Sequence, residues 1–270
     1  MSFADTGSVQ TATGKVYLVG AGPGDPELLT VRAHRLLRCA DVVLHDDLVP
    51  RAIVSLAGRQ GEIVNVGKRC GAKGITQEEI NTRMIESARR GLEVVRLKSG
   101  DPGIFGRLAE ELDALEAANV PFEVVPGITA GIAAAASLNI SLTDRRKSSR
   151  VVVVAGHHAA GTPTHERTDW KSLAREDTTL VVYMPGHDFK GLRQELLAAG
   201  LSGEVPAVVV ARAATPDQQH HSTTIAELGD VPRLESPTIL LIGRSLERAG
   251  QKPHVASLSL VFECADLILS

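Results

Sequence analysis

The sequence predicts an α/β fold with two domains, a parallel-sheet N-terminal domain and a mixed-sheet C-terminal domain. Up to residue 141, five short apolar segments alternate with segments of helical character, which is typical of a parallel sheet covered on both faces. From residue 151 the apolar segments follow at shorter, hairpin-like spacing, which favours antiparallel pairs. We therefore expect a disordered tail at 1–13, domains at 14–141 and 151–250, a polar linker at 142–150 and an extension at 251–270.

Each element follows from local patterns of apolar and turn-forming residues. In the N-terminal domain these patterns predict strands at 15–19, 40–44, 62–66, 91–97 and 122–125. Four helices are predicted: one directly after the first strand, and three at 76–89, 104–118 and 130–138. Thr76 and Glu79 match a capping box at the start of the second. In the C-terminal domain we expect strands at 151–155, 180–184, 205–211 and 238–242, an edge strand at 223–228, and helices at 170–174 and 189–199.

The first strand runs into a glycine-rich turn, Gly20 to Gly24, and then into the start of a helix. Asp25 stands where a helix N-cap belongs, and Pro26 stands at the first helical position. The glycine spacing differs from the G-x-G-x-x-G of dinucleotide-binding folds, and the Asp25 carboxylate would repel a phosphate at the helix start. We interpret the turn as one that approaches a ligand closely without holding phosphate. An ordinary structural turn is the alternative.

Composition argues against several classes of function. The 270 residues carry a net charge of −3 and 3% aromatic residues, which argues against nucleic-acid binding. Three cysteines, with no C-x-x-C pair, indicate a reducing compartment and neither a disulfide framework nor a zinc site. The sequence shows no apolar run of transmembrane length and no signal-peptide core. We expect a soluble, cytoplasmic protein without a metal and without nucleic-acid or membrane partners.

Charged pairs that follow predicted strands are the first candidates for chemistry, because ligands bind at the carboxyl ends of parallel strands. Asp46 and Asp47 fit a general base, a metal ligand or a solvated loop pair. Lys68 and Arg69 fit an anion site, proton transfer or an ordinary basic surface. Arg107 lies in the first turn of a predicted helix, against the helix dipole, which is a weak indication of a bound ligand.

Two further groups lie in the linker and in the loop after the next strand. Arg145, Arg146 and Arg150 belong to a basic run that fits either an exposed linker or one wall of a site for a polyanion. His157 and His158 are adjacent and have no carboxylate at metal-ligand spacing, so we interpret both as non-ligands. The residues alone therefore predict a two-domain α/β enzyme with a glycine-lined cleft.

Five motifs lead further, namely Val19–Thr30, Asp46–Val49, Val66–Arg69, Arg96–Arg107 and Val125–Ala130. The first resembles the opening motif of the tetrapyrrole (corrin/porphyrin) methyltransferases. All five, in this order and spacing, resemble the uroporphyrinogen-III C-methyltransferases, and the resemblance extends from about Gly14 to Arg244. It implies the two-domain tetrapyrrole methylase fold, with the active site in the cleft between the domains.

The resemblance also implies a reaction and its ligands. S-adenosylmethionine is expected in the cleft, with S-adenosylhomocysteine as its product, in a homodimer. The expected reaction methylates the C2 and C7 ring carbons of uroporphyrinogen III, giving precorrin-2 through precorrin-1, for sirohaem or cobalamin. The residues implied to bind S-adenosylmethionine are Pro23, Ser99, Gly100, Asp101, Ile104, Thr129, Ala130, Met184 and Ala213.

Three residues are implied to take part in the reaction itself. Asp46 corresponds to the family's proposed proton acceptor, Lys68 to its proposed proton donor, and Arg107 to a residue that holds or activates the tetrapyrrole. The substrate carries eight carboxylates, so a chain of net negative charge must bind it by a local concentration of cations. The candidates for that role are Lys68, Arg69, Arg107, Arg145, Arg146 and Arg150.

The sequence departs from the family pattern at a few positions. His45 stands where many members have tyrosine, Ser99 and Gly103 change a G-G-D-P-F motif, Ala211–Thr215 replaces an E-N-G-T run, and Asp144 precedes Arg145 where the family has a histidine. These departures affect details of substrate contact more than the expected reaction. Two alternatives stay open: a methyltransferase acting on a later precorrin, and a non-catalytic protein that binds S-adenosylmethionine or a tetrapyrrole.

Overall fold

The computed structural model describes residues 13–67, 75–156 and 168–247. The predictions made for Lys68, Arg69, His157 and His158, for most of the N-terminal tail and for the C-terminal extension fall outside these ranges.

The first sheet has five parallel strands, as predicted, in the order β3-β2-β4-β1-β5. The strands are β1 (Val16–Gly20), β2 (Val42–His45), β3 (Glu62–Asn65), β4 (Val94–Lys98) and β5 (Phe122–Val125). Because all five run in one direction, their carboxyl ends lie at the same edge, and the loops that follow them meet there.

Helices cover both faces of this sheet. Helices α1 (Val31–Cys39) and α2 (Arg51–Val54) pack on one face, around Val19, Val43 and Leu97. Helices α3 (Gln77–Arg89) and α4 (Leu108–Ala117) pack on the other face, around Leu18, Leu44 and Val94. The predicted capping box of α3 is confirmed, since Thr76 Oγ1 accepts from the Glu79 N–H at 3.1 Å and Glu79 Oε2 accepts from the Thr76 N–H at 2.6 Å.

Two predicted helix starts are wrong. Asp25 caps only a single 3₁₀ turn, Pro26–Leu28, and α1 begins after a second cap, where Thr30 accepts from the Ala33 N–H. The predicted helix at 104–118 begins four residues late, because Phe105 and Arg107 adopt left-handed backbone conformations with φ of 53° and 55°. In both places a loop at the carboxyl edge of the sheet takes the residues that sequence periodicity assigns to a helix.

The second sheet is mixed, as predicted, with strand order β6-β7-β10-β8-β9. Strands β6 (Arg150–Ala155) and β7 (Thr178–Tyr183) are parallel, and the other pairs are antiparallel. The remaining elements of this half are β8 (Pro206–Ala211), β9 (Gln219–Thr224), β10 (Thr238–Ile242), α6 (Trp170–Leu173) and α7 (Phe189–Ala198). The edge strand lies about four residues earlier than its predicted position, 223–228.

Helix α5 (Ala130–Ser137) connects the two halves. It directly follows the loop after β5, yet Ala134 and Ala135 pack into the core of the second sheet with Val181, Val208 and Leu241. The change from one core to the other therefore falls before α5 and ahead of the predicted linker at 142–150. In the part of the chain that is described, no helix combines the length and apolar character needed to cross a membrane.

Candidate active site

The loops after the neighbouring strands β1 and β4 are joined through their backbones. The Gly22 N–H donates to the Gly100 carbonyl at 3.1 Å, and the Gly100 N–H donates to the Gly22 carbonyl at 2.8 Å. Both glycines have φ of 69°, a conformation that a residue with a side chain rarely adopts. This pair places Pro23 beside Ser99, Gly100 and Asp101 at the carboxyl edge of the first sheet.

Asp101 ties two loops together. Its Oδ1 accepts from the Gly103 N–H at 2.8 Å, and its Oδ2 accepts from the Gly127 N–H at 3.0 Å. Both carboxylate oxygens are thus engaged by backbone donors, and the loop that precedes Thr129 is fixed to the loop after β4. Five of the residues predicted to bind S-adenosylmethionine are thereby brought together, namely Ser99, Gly100, Asp101, Thr129 and Ala130.

At this edge of the sheet, the backbones of Gly20, Gly100 and Gly127 are in direct contact and form the floor of the cleft. A Cβ added to Gly127 would lie 2.3 Å from the Gly100 carbonyl oxygen and 2.9 Å from Gly20 Cα. A Cβ added to Gly20 would lie 2.6 Å from Gly127 Cα. Glycine is therefore required at both positions for steric reasons.

Residues of the second half complete the cleft. Met184 follows β7 and Ala213 follows β8, and Met184 is 51% exposed with φ of 49°. The turn after β1 reaches this side, since a Cβ on Gly24 would lie 2.7 Å from Thr215 Cγ2. Met184 and Ala213, the two residues of the predicted S-adenosylmethionine site that belong to the second domain, thus lie on the side of the cleft opposite the glycine turn.

Tyr183, the last residue of β7, links the two halves. Its hydroxyl accepts from the buried Gly131 N–H at 2.7 Å and forms a hydrogen bond with Thr129 Oγ1 at 2.6 Å. Its ring lies 5.1 Å, between centroids, from that of Phe105, in the loop that contains Ile104. One side chain of the second sheet therefore contacts two loops of the first domain.

The lining of the cleft fits S-adenosylmethionine. It offers backbone groups of residues 99–101 and 129–130, apolar side chains at Ile104 and Met184, and glycine turns without bulk. The described part of the chain contains no group of three or more His, Cys, Asp or Glu side chains placed to hold a metal ion. The 3₁₀ turn after the glycines has Asp25 as its cap, which is unsuited to a phosphate ligand.

Asp46 follows β2, the strand beside β4, so it lies at the same edge as the predicted S-adenosylmethionine site. Arg96 Nη2 donates to Asp46 Oδ1 at 2.5 Å, and the Asp46 N–H donates to the Leu97 carbonyl at 3.2 Å. The Asp46 side chain remains 30% exposed, whereas that of Arg96 is 3% exposed. The carboxylate is thus accessible at the edge while its position is fixed from below.

Asp46 is the exposed member of an ionic cluster, which we define as Arg96, Lys98, Glu111 and Asp46; the other three side chains are buried. Arg96 Nε donates to Glu111 Oε1 at 3.0 Å, and Lys98 Nζ donates to Glu111 Oε2 at 2.7 Å. Glu111 is fully buried, and Arg96 and Lys98 are each 2% exposed. Burial, together with the nearby Arg96 guanidinium, lowers the pKa of Lys98.

Arg107 lies at the end of the loop after β4. It is the N-cap of α4 rather than a residue of its first turn, and its left-handed backbone points an exposed side chain away from the core. Its Nε donates to Glu110 Oε1 at 2.7 Å and its Nη2 to Glu110 Oε2 at 2.5 Å. This paired carboxylate raises the pKa of Arg107.

The other described basic candidates lie in the turn before β6 and at the start of that strand. Arg146 pairs with Asp144 in the turn before β6, and Arg150 pairs with Asp177 at the start of that strand. Ser148, in the same turn, bonds to Thr179 near the start of β7, whereas Met184 follows the end of β7. The chain from Thr179 to Met184 spans roughly 16 Å. Ser148 and Arg150 therefore lie at the end of β6 and β7 opposite to Met184.

Sequence reasoning missed Arg96, Glu111 and Tyr183. A signal for the first two was present, because a central parallel strand that is otherwise apolar carries cations at Arg96 and Lys98, two residues apart and hence on one face. Buried cations require a partner, and Glu111 lies four residues before Leu115 on the buried side of α4. No comparable local signal identifies Tyr183, whose contacts are all distant in sequence.

The Tyr183→Phe variant is expected to lose the bond to Thr129 and to leave the buried Gly131 N–H without an acceptor. The unmet donor costs about 1–3 kcal/mol, so thermal unfolding should shift to lower temperature and S-adenosylhomocysteine should bind more weakly. Calorimetry measures both effects. Tyr17→Phe, at the other tyrosine, serves as the matched control: its hydroxyl bonds to Glu93, so the variant also loses a hydrogen bond but should leave the binding of S-adenosylhomocysteine unchanged. Equal losses of binding in the two variants would contradict the assignment.

The family model of the tetrapyrrole (corrin/porphyrin) methylases matches residues 15–229 of this chain. A sirohaem synthase of Hahella chejuensis is 45% identical over 237 residues, which cover 86% of this chain and 49% of that protein. Sirohaem synthase 1 of Halorhodospira halophila is 43% identical, with 87% and 48% coverage. The chain therefore spans about half the length of the curated relatives it matches.

Two solved methyltransferase structures match the fold of this chain. The uroporphyrin-III C-methyltransferase of Thermus thermophilus is 39% identical, with a TM-score of 0.74 over 86% of this chain and 99% of that one, and it has also been solved with S-adenyl homocysteine. A cobalt precorrin-4 methyltransferase is 32% identical, with a TM-score of 0.78 over 86% of this chain and 96% of that one. With a family model that covers most of the residues and a matching two-domain fold, this chain belongs to the tetrapyrrole (corrin/porphyrin) methylase family.

Proposed function

We propose that the chain is an S-adenosylmethionine-dependent uroporphyrinogen-III C-methyltransferase, which converts uroporphyrinogen III to precorrin-2 through precorrin-1. The observation that carries the proposal is the position of Asp46. An accessible carboxylate anchored by Arg96 lies one strand away from the glycine-lined loops that fit S-adenosylmethionine. The similarity to uroporphyrin-III C-methyltransferase supports the choice of substrate.

S-adenosylmethionine supplies a methyl group carried on a positively charged sulfur. The chain binds and orients it through the backbone of residues 99–101 and 129–130, with Met184 and Ala213 on the opposite side of the cleft. A polar backbone environment without phosphate-binding character suits a sulfonium. Because the pyrrole carbon is already nucleophilic, alignment of the reacting atoms supplies most of the rate enhancement.

The chemical balance of the step assigns a role to Asp46. The pyrrole carbon forms a bond to the methyl carbon, and the carbon–sulfur bond breaks with its electron pair remaining on sulfur. The methylated ring system then loses a proton. In this proposal the Asp46 carboxylate accepts that proton and passes it to water, so that one proton leaves per methyl group. Lys68, the proton donor of the family pattern, would protonate the ring system only transiently and regain its proton from water, which leaves this balance unchanged.

The substrate's carboxylates require cations around the cleft. We propose Lys68, Arg69 and Arg107 for this purpose, since Lys68 and Arg69 follow β3 and Arg107 stands at the start of α4. Guanidinium groups donate strong hydrogen bonds to carboxylates. Because Glu110 holds Nε and Nη2 of Arg107, the substrate carboxylate would bind through Nη1. Arg145, Arg146 and Arg150 stay sequence-based predictions.

Anaerobic incubation of the purified protein with uroporphyrinogen III and S-adenosylmethionine tests the proposal. We expect two equivalents of S-adenosylhomocysteine per tetrapyrrole, a product heavier by two methyl groups, and red fluorescence after oxidation. Methylation of a later precorrin but not of uroporphyrinogen III would favour the neighbouring reaction of the family. Binding of S-adenosylmethionine without turnover of any tetrapyrrole would favour a binding protein.

The Arg107→Ala variant should raise the KM for uroporphyrinogen III about 10- to 100-fold, since a charge-assisted hydrogen bond contributes roughly 1.5–3 kcal/mol. Titration calorimetry should give an unchanged Kd for S-adenosylhomocysteine. Arg175→Ala, an exposed arginine of the second domain that pairs with Asp177, is the control and should leave the KM unaltered. An unchanged KM in Arg107→Ala would remove Arg107 from the substrate site.

The proposal extends to a homodimer in the cytoplasm that serves sirohaem or cobalamin synthesis. The relatives called sirohaem synthases are about twice as long as the matched segment, so the remaining steps of those proteins are not assigned to this chain. Sedimentation of the purified protein tests the dimer.

A further inference from the structure

Glu111 is the common partner of the two cations on β4. It is fully buried on α4, and each of its carboxylate oxygens accepts from a different residue, Oε1 from Arg96 and Oε2 from Lys98. Oε1 also accepts from Gln77 Nε2 on α3 at 3.3 Å. The carboxylate is therefore bound by side chains of two other elements, and it cannot move without breaking several bonds.

The hydrogen bonds of Arg96 fix the plane of its guanidinium. Nε donates to Glu111 at 3.0 Å, Nη1 lies 3.4 Å from the Leu44 carbonyl and 3.3 Å from the Leu97 carbonyl, and Nη2 donates to Asp46 at 2.5 Å. Glu111 and Asp46 thus bind different nitrogens of one planar group. The orientation of Asp46 depends on the anchor that Glu111 provides beneath it.

Neutralising buried cations would require only that Glu111 approach Arg96 and Lys98. The observed arrangement does more, because it directs the remaining nitrogen of Arg96 towards the one carboxylate of the cluster that reaches the surface. The cluster holds two positive and two negative groups, so loss of the Glu111 charge would leave Arg96 and Lys98 competing for Asp46 alone. Asp46 would then be drawn towards the interior.

We propose that Glu111 is a positioning residue for methyl transfer: through Arg96, it holds the Asp46 carboxylate where the methylated ring releases its proton. The inference rests on the proposed function, in which Asp46 accepts that proton. Glu111 itself is fully buried and bonds to Arg96 and Lys98.

The Glu111→Gln variant keeps the shape of the side chain and removes its charge. We expect kcat to fall about 10- to 100-fold through misplacement of the reacting carboxylate, with the KM for uroporphyrinogen III and the Kd of S-adenosylhomocysteine nearly unchanged. Leu115→Ala, one turn further along α4 and fully buried, is the matched control. It should lower the unfolding temperature while kcat is retained below that temperature.

Two more variants separate positioning from stability. Arg96→Lys keeps a cation beside Glu111 but removes the planar link to Asp46, so kcat should fall as in Glu111→Gln; it carries the test if Glu111→Gln does not fold. In the Asp46→Asn background, Glu111→Gln should cause little further loss, because residues that act through one another are not additive. A kcat near the wild-type value in Arg96→Lys, or losses that add fully in the double variant, would overturn the inference.

The outcomes also distinguish this inference from the function on which it rests. Wild-type protein that fails to methylate uroporphyrinogen III refutes the proposed function and, with it, the positioning role. Active wild-type protein whose kcat is matched by Glu111→Gln refutes the positioning role alone.

Discussion

Replacing Asp46 with asparagine is expected to slow single-turnover methyl transfer about 10²- to 10⁴-fold, the usual contribution of a general base. The fold should persist, since the amide oxygen introduced by Asp46→Asn can still accept from Arg96 and the position is 30% exposed to water. Rapid-quench measurement of S-adenosylhomocysteine gives the rate, and calorimetry gives the Kd of S-adenosylhomocysteine, which should match the wild type.

The neighbouring carboxylate offers the control. Asp47 Oδ1 accepts from Asn65 Nδ2 at 3.1 Å, which places it on the side of β3 and away from Arg96. Asp47→Asn should therefore methylate close to the wild-type rate. If Asp47→Asn were slow and Asp46→Asn fast, the assignment of the proton acceptor would have to be exchanged between the two residues.

The Gly127→Ala variant should produce the largest loss of stability. Its Cβ would overlap the Gly100 carbonyl and approach Gly20 Cα, and neither backbone atom can rotate away as a side chain could. We expect a destabilisation of about 3 kcal/mol or more, equivalent to roughly 6–12 °C in the unfolding temperature. Because Gly127 also donates to Asp101, S-adenosylhomocysteine should bind more weakly.

Gly203→Ala provides the comparison for this prediction. Its nearest neighbour would be the Ala226 methyl at 3.2 Å, a side chain on a loop of the second domain, so its unfolding temperature should stay close to that of the wild type. Scanning calorimetry measures the unfolding temperatures of Gly127→Ala and Gly203→Ala. Equal temperatures would contradict the steric explanation of the requirement for glycine at position 127.

Most of the sheet architecture could be predicted because its signals are local. An apolar run such as Phe122–Val125 or Thr238–Ile242 sits between turn residues, and the structure has strands with those bounds. The Thr76 capping box is likewise complete within four residues. Such patterns depend only on neighbours in sequence, so they are visible before any tertiary contact is known.

The errors occur where distant contacts decide the backbone. Phe105 is left-handed and its ring packs on Tyr183, which lies far along the chain, so helical periodicity at 104–107 was misleading. The partner of Arg96 on α4 is also invisible locally, although an arginine within a buried strand signals that one exists. The resemblance to the family predicts the ligand-binding loops and the reactive residues, whereas the buried partners of Asp46 became visible only in the structure.

The way α5 joins the halves bears on how ligands come and go. This helix begins at Ala130 with Thr129 as its N-cap, packs into the second core, and is bonded to Tyr183 through Thr129 and Gly131. A large rotation of one half away from the other would break the packing of this helix in the second core and its hydrogen bonds to Tyr183. The methyl donor should therefore enter and leave through local opening of individual loops. Hydrogen exchange of the backbone amides around Gly131 should remain slow throughout turnover.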